Sequence, residues 1–353
     1  AALEIAMDEM AEKLGMDPVE FRILNDTQVD PEDPSKPFSD RHYVECLQKG
    51  AADFGWEARN RTPGGQREGQ WLIGHGMAGA YRGAPTMDSG ARVRLQAGRL
   101  VVETDMTDIG TGSYTIIAQT AAEAMGLTLE DVEVRLGNSD YPVSSGSGGQ
   151  FGAASATAGV YAACLKLQEE IAQRLGMNSP RFEQGRVIAG TTEVALAEVA
   201  DGEELVAEDT IHFGDFKDTL QIGTFAAHFV EVAVHAHTGE IRVRRMLAVC
   251  DAGRILNPVT ARSQVIGGMT MGVGSALMEG LTPDVERGFF VNHDLASYEV
   301  AVHADIPEQE VIFLDTTDAA STPLKAKGVG ELGICGVAAA VANAIYNATG
   351  IRV

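Results

Sequence analysis

The chain has 353 residues, 45% of them hydrophobic and 22% charged, enough for two or more domains with substantial cores. Lys plus Arg is 27 and Asp plus Glu is 50, a net charge of −23 with no basic run, which argues against nucleic acid or an anionic membrane surface as a partner. No apolar run reaches the ~20 residues of a membrane helix, and the four cysteines (Cys46, Cys164, Cys250, Cys335) lack the Cys-x-x-Cys spacing of an iron–sulfur or zinc site.

Residues 3–14 place Leu3, Met7, Met10 and Leu14 at helical spacing with an acidic outer face. The chain therefore begins inside a helix and reads as a piece of a longer polypeptide. Gly15 ends that helix, and Asp17-Pro18 opens the next as N-cap and first-turn proline. Residues 25–40 carry Pro31, Pro34 and Pro37 and read as a surface loop. Phe38 then opens a helix through residues 40–54 as a packing residue. Residues 57–70 are polar and turn-rich, a link between subdomains.

An alternating block follows. Residues 71–80 are small and glycine-rich, and 91–95 and 100–105 are two strands around an Ala-Gly turn. Next, Asp108-Ile109-Gly110-Thr111-Gly112-Ser113 leads into a helix over 116–125. Strand, glycine loop and helix can bind an anion, although a plain turn is the default reading. Residues 132–136 are a strand. Residues 144–157 form a second cluster of glycines and hydroxyls ahead of a long helix near 157–175, either a flexible linker or a ligand cradle.

Residues 192–200 read as a helix from Val194, Leu196 and Val199. Residues 225–235 alternate cleanly, turn at 237–240 and return antiparallel over 241–251. His228, His235 and His237 do not share one strand face and are expected to be solvated or edge histidines rather than metal ligands. Glycines at 267, 268, 272 and 274 stud a helix. Each costs about 1 kcal/mol relative to alanine there, which implies close packing. Strand–turn–strand–helix thus occurs twice, at 91–125 and 228–277, as a loose internal duplication. A strand at 310–314 leads to Lys327-Gly328-Val329-Gly330-Glu331, a glycine loop ahead of a helix over 337–348 that stops at Gly350. Glu331 is either a base aimed at a ligand or a first-turn carboxylate complementing the helix dipole.

This last loop resembles the Lys-Gly-x-Gly-Glu loop of the xanthine dehydrogenase and aldehyde oxidase family of molybdenum hydroxylases. The family loop usually continues with proline, where Leu332-Gly333 stand here. The segment Met16-Asp17-Pro18-Val19-Glu20-Phe21-Arg22 is similar to the family's Asp-Pro-x-Glu-x-Arg, which follows its second cofactor loop. Residues 108–119 resemble the third cofactor loop, with Thr111 in place of the usual middle Gln, and 144–157 the fourth. Asp251-Ala252-Gly253-Arg254-Ile255-Leu256-Asn257-Pro258, the Gln264 helix, Tyr298 and Asp305-Ile306-Pro307 extend the likeness.

The resemblance implies an α+β fold of mixed sheets with outer helices in two elongated subdomains. Its spans are a helical end of the first molybdenum-binding domain (1–60), a cofactor-binding subdomain (61–223) and a second carrying the catalytic loop (224–353). It implies Glu331 as the active-site base. Gly110, Gly112, Ser113, Gln119, Ser147, Gly148, Gly149, Gln150, Ser155, Gly328, Val329 and Gly330 become cofactor contacts, and no side chain is expected to ligate the metal. The cofactor is a molybdenum–pterin, of the cytosine dinucleotide form by likeness to periplasmic aldehyde oxidoreductases. Iron–sulfur clusters and FAD reside on partner subunits or domains, and the N-terminal half of the same large subunit is the nearest partner. The reaction is oxidation of an aldehyde or aza-aromatic carbon with oxygen from water. The alternative is a catalytically silent scaffold or assembly module whose glycine loops are only turns.

Overall fold

A computed structural model describes residues 1–214, 219–306 and 308–353. The N-terminal part gives helices α1 (Ala2–Lys13), α2 (Pro18–Leu24) and α3 (Tyr43–Phe54), then β1 (Arg67–Glu68) and β2 (Trp71–Gly83). A first α/β run follows: β3 (Ser89–Gln96), β4 (Arg99–Thr104), α4 (Ser113–Met125), β5 (Val132–Leu136) and α5 (Gly152–Leu175). Short strands β6 (Arg181–Glu183), β7 (Arg186–Ala189) and β8 (Thr192–Ala195) lead to β9 (Leu205–Ile211). The second run is β10 (Gly223–His235), β11 (Ile241–Asp251), α6 (Pro258–Leu277), β12 (Pro283–Asp284), β13 (Phe289–Phe290), β14 (Glu308–Phe313) and α7 (Val337–Thr349). The class is α+β with mixed sheets. Tyr298 and Asp305-Ile306 lie between β13 and β14, and Pro307 lies outside the described residues.

The internal duplication goes further than two hairpins. Each hairpin, β3–β4 and β10–β11, is antiparallel; each is followed by a helix (α4, α6) and a strand (β5, β14) that pairs parallel to the hairpin's second strand. A second helix, α5 or α7, then packs back on the sheet. Sheet orders are β5-β4-β3-β9 and β14-β11-β10-β2-β1. The outer strands are exchanged: β2 leads into β3 but pairs with β10, and β9 precedes β10 but pairs with β3. The stretch 61–223 therefore contributes strands to both sheets.

Local chemistry explains the element ends. The Asp17 carboxylate accepts the Val19 N–H at 2.8 Å and caps α2, with Pro18 at its first position. Asn257 does the same for α6, accepting from Val259 and Thr260 at 3.0 Å. The smaller sheet buries one face under α4 and α5. Its other face alternates into charges, where nearly buried Glu103 is ringed by Arg92, Arg94 and Arg135. The larger sheet is covered on both faces, by α6 and α7 on one side and α3 on the other, and its central strand β10 is almost wholly buried.

Three expectations need correction. Residues 192–200 are not a helix: Thr192–Ala195 form β8, which pairs antiparallel with β7, and 196–200 are turns. The helix after Phe38 begins only at Tyr43. Phe38 instead bridges to Gln221, its ring edge-on to Phe225 at 5.2 Å with the Arg41 guanidinium 5.0 Å from its centroid. His228 is neither solvated nor on an edge. It sits fully buried on β10, and neither ring nitrogen has a hydrogen-bond partner of normal geometry. The apolar stretch Leu332–Thr349 is long and apolar enough to cross a membrane, yet most of it is buried in this protein as the core helix α7.

Helix α7 lies directly on β2 because β2 offers glycines there. A Cβ at Gly74 or Gly76 would strike the α7 main chain at Ala344, Ala348 and Ala340. Gly76→Val should lower stability by about 1–3 kcal/mol or more, read as a shift in the denaturant midpoint. His228 generates a pH prediction. Burial lowers its pKa from 6.5 to about 4, only partly offset by the Leu332 backbone. Between those values the unfolded chain binds the proton and the folded chain does not. Stability is therefore fully present above about pH 6.5 and is lost as pH falls to about 4, by about 3 kcal/mol from this group. His228→Leu should flatten the loss of melting temperature across that window; an unchanged slope would remove His228 as its source.

Candidate functional site

The loops ahead of α4, α5, α6 and α7, two from each repeat, line one cavity of about 240 Å³. Each is tied to another by hydrogen bonds. The Ser147 hydroxyl donates to the Thr107 carbonyl at 2.5 Å, joining the first loop to the second. Asn257 Nδ2 donates to Gln119 Oε1 at 3.1 Å, and Arg254 reaches Glu123 at 2.6 Å, so the third loop grips α4. The main chain of Lys327 donates to the Ala252 carbonyl at 3.1 Å, joining the fourth loop to the third.

In the first loop the Asp108 carboxylate turns back on its own main chain. It accepts the N–H groups of Gly110 at 2.7 Å, Thr111 at 3.1 Å and Tyr114 at 3.3 Å. Burial would raise its pKa, but donors from Gly110, Tyr114, Gly112 and Thr111 hold it below the usual carboxylate range. The loop's donors, with that of Tyr114 in the first turn of α4, are thus already engaged. Gly110 and Gly112 do not face the cavity, and a Cβ at Gly112 would meet Thr260 at 2.8 Å. Thr111 and Ser113 do line it.

The second loop contributes Ser147, Gly148, Gly149 and Gln150 to the wall. Ser155 lies one turn into α5, fully buried, its hydroxyl accepting the Met87 N–H at 3.1 Å. Gln119 faces the α6 cap rather than the cavity. From the fourth loop Lys327, Val329, Gly330 and Glu331 line the wall, whereas Gly328 lies against the Gln150 carbonyl, where no Cβ fits. The Lys327 ammonium is buried, 3.6 Å from Asp318, whose carboxylate also accepts the Ser39 hydroxyl at 2.6 Å. Such a pair adds little net stability, but removing one partner strands a buried charge. It anchors the root of the loop to two other loops.

Glu331 stands half-exposed at the cavity edge. Its N–H donates to Gln150 Oε1 at 3.1 Å. Its carboxylate receives two bonds from Arg82, Nε at 2.7 Å and a shorter one from the terminal nitrogen, both on Oε2. Arg82, 249 positions away, had no spacing to link it with Glu331. Arg254, Thr260 and Gln264 line the cavity without having been singled out as contacts, although the Asp251–Pro258 motif and the Gln264 helix had marked this loop by their likeness to the family. Among the described residues, no group of three or more His, Cys, Asp and Glu side chains is placed to hold a metal ion.

Residues 49–307 match the family described as molybdopterin cofactor-binding domain. The aldehyde oxidoreductase molybdenum-binding subunit PaoC of Escherichia coli (strain K12) is 64% identical over all of this chain and 48% of its own length. The xanthine dehydrogenase molybdenum-binding subunit of Escherichia coli O157:H7 is 31% identical over all of this chain and 50% of its own. Quinoline 2-oxidoreductase from Pseudomonas putida 86 superposes with a TM-score of 0.85 at 25% identity, over 98% of this chain and 48% of that one. The chain spans about half the length of the curated relatives it matches. Four loops closing on one cavity, together with this match over most of the sequence, make the chain a member of the molybdopterin cofactor-binding domain family.

Proposed function

We propose that the chain is the C-terminal half of the molybdenum-binding subunit of an oxidoreductase that hydroxylates an aldehyde or aza-aromatic carbon with oxygen from water. The observation that carries the reading is Glu331: a carboxylate at the wall of the four-loop cavity, its main chain pinned by Gln150 and one oxygen held by Arg82.

The residues present fit a molybdenum–pterin cofactor. The wall offers glycine main chain at Gly148, Gly149 and Gly330 for close approach, and Thr111, Ser113, Asn257, Thr260 and Gln264 as polar partners. A Cβ at Gly148 would meet only the Phe151 ring, so the space beside it is open. Because Asp108 already occupies donors of the first loop, the second and third loops are the better cradle for a pterin phosphate, and Arg254, paired with Glu123, is a cation on the wall there. We assign the cytosine dinucleotide form on the resemblance of residues 108–113 and 145–149 to the cofactor loops of periplasmic aldehyde oxidoreductases.

In the net reaction of an aldehyde the substrate carbon loses hydrogen and gains an oxygen from water, releasing two protons and two electrons. When bound, the cofactor supplies the acceptor for both electrons, which leave through iron–sulfur and flavin groups on partner subunits. This chain's own part is proton transfer and placement. Both Arg82 bonds fall on Glu331 Oε2, which leaves Oε1 to take the proton from the attacking oxygen. Arg82 holds the carboxylate by one oxygen, and the buried Lys327–Asp318 pair anchors the loop root.

In the full-length protein with its partner subunits, Glu331→Gln should leave molybdenum content unchanged and reduce turnover by about 10²–10⁴-fold. Turnover within about twofold of wild type would sink the base assignment, whereas absence of molybdenum and pterin from the wild-type protein would favour the scaffold reading. Gly148→Val should lower molybdenum and pterin content before it lowers the melting temperature, since Gly148 main chain forms part of the wall and a Cβ there meets only the Phe151 ring at 3.5 Å. Normal loading with normal folding would show the stretch to be a structural turn.

A further inference from the structure

Gln150 has a conformation that needs a reason. It is 7% exposed, it is not glycine, and its φ is 55°, in the left-handed region that side chains avoid. Its main-chain carbonyl presses on Gly328, and a Cβ at Gly328 would lie 3.4 Å from the Gln150 side chain. The residue is seated inside the loop that carries Glu331.

Its side-chain amide is spent at both ends. Oε1 accepts the Glu331 N–H at 3.1 Å. Nε2 donates to the Gly83 carbonyl at 3.0 Å and to Thr224 Oγ1 at 3.0 Å, with the Arg82 carbonyl at 3.5 Å. Thr224, fully buried, passes its own proton to the Arg82 carbonyl at 3.2 Å. One amide therefore touches both members of the Arg82–Glu331 pair through their main chains. It joins the end of β2, the start of β10 and the 328–331 loop, three segments far apart in sequence.

We propose that Gln150 is a positioning residue that sets the register between Arg82 and Glu331, and so aims the Glu331 carboxylate; this rests on Glu331 being the base. Two plainer roles compete. A buried, bonded glutamine could serve stability alone, or its side chain could contact the cofactor. The stability role predicts a general loosening. The cofactor role predicts loss of molybdenum. The positioning role predicts an effect that exists only while Glu331 is there to be aimed.

The test uses the full-length protein with its partner subunits, as wild type, Gln150→Leu, Glu331→Gln and the double variant. Hydrogen exchange by mass spectrometry reads the peptide spanning residues 328–333, and metal analysis reads molybdenum per chain. Gln150→Leu should speed exchange of that peptide at least about tenfold, leave molybdenum content unchanged and cut kcat about 10²-fold with little change in KM. In the Glu331→Gln background it should cost no further activity. Gln150→Glu supplies a second arm that keeps the shape. Its carboxylate still accepts from Glu331, but it faces the Gly83 carbonyl with a proton only at low pH. The ratio of its turnover to wild type should therefore rise as pH falls.

Unchanged exchange in 328–333 would overturn the proposal, as would molybdenum loss parallel to activity loss, an equal fold-loss with Glu331 already replaced, or a flat Gln150→Glu ratio. Full turnover in Glu331→Gln alone would instead overturn the base reading, while the exchange result would still report on the bracket itself.

Discussion

The site depends on where β2 ends. That strand pairs antiparallel with β10 along its whole length, from Trp71 opposite His235 to Gly83 opposite Gly223. The register places Arg82 opposite Thr224, so the two residues that frame Gln150 meet at the same rung. It also presents Gly74 and Gly76 to α7, which lets the helix sit close and brings its preceding loop, with Glu331, to the strand's end. Shifting this pairing by one residue would turn Arg82 to the other face of the sheet. The ion pair to Glu331 is a consequence of backbone register before it is a matter of charge.

Much of the secondary structure was legible because period-two and period-3.6 patterns are local. The hairpins over 91–105 and 225–251 and the helices at the two ends followed from alternation, caps and helix stops. Partner choice was not legible. Nothing local in the residues of β2 states that it joins β10, far along the chain, rather than its neighbour β3. The error at 192–200 arose where Val194, Leu196 and Val199, spaced by two and then three, fix neither period, and pairing with β7 made the first four residues a strand. His228 looked like a surface histidine because exposure depends on α7 and the 332–334 turn covering the strand, information that lies a hundred residues on.

At the site, residue type was readable and use was not. The glycine clusters and the Glu331 loop stood out by composition and by likeness to a family. What each polar group does is set by its neighbours. Asp108 closes on the N–H groups of its own loop, Gln119 serves the α6 cap, and Gln150 spends its amide on protein partners. Buried polar groups must be paired, so a residue chosen by type is often already engaged. Arg82 illustrates the converse: an arginine at a strand end carries no local mark, and only the folded sheet brings it to a carboxylate far away in the chain.

The exchange of β2 and β9 between the two repeats has a mechanical meaning. Each of these strands is paired in one sheet and leads on into the other, so the chain crosses between the sheets twice, from β2 to β3 and from β9 to β10. Both ladders lie within a sheet and stay whole if one sheet moves against the other. Two crossings restrict such a motion to a hinge about them, where a single linker would leave the halves free to swivel. What resists that hinge at the cavity is the set of bonds between loops, Asn257 to Gln119, Arg254 to Glu123 and Gln150 to Glu331. Access for a large group is therefore set by a few exposed or half-buried contacts rather than by the sheets, and local opening there lies far below global unfolding.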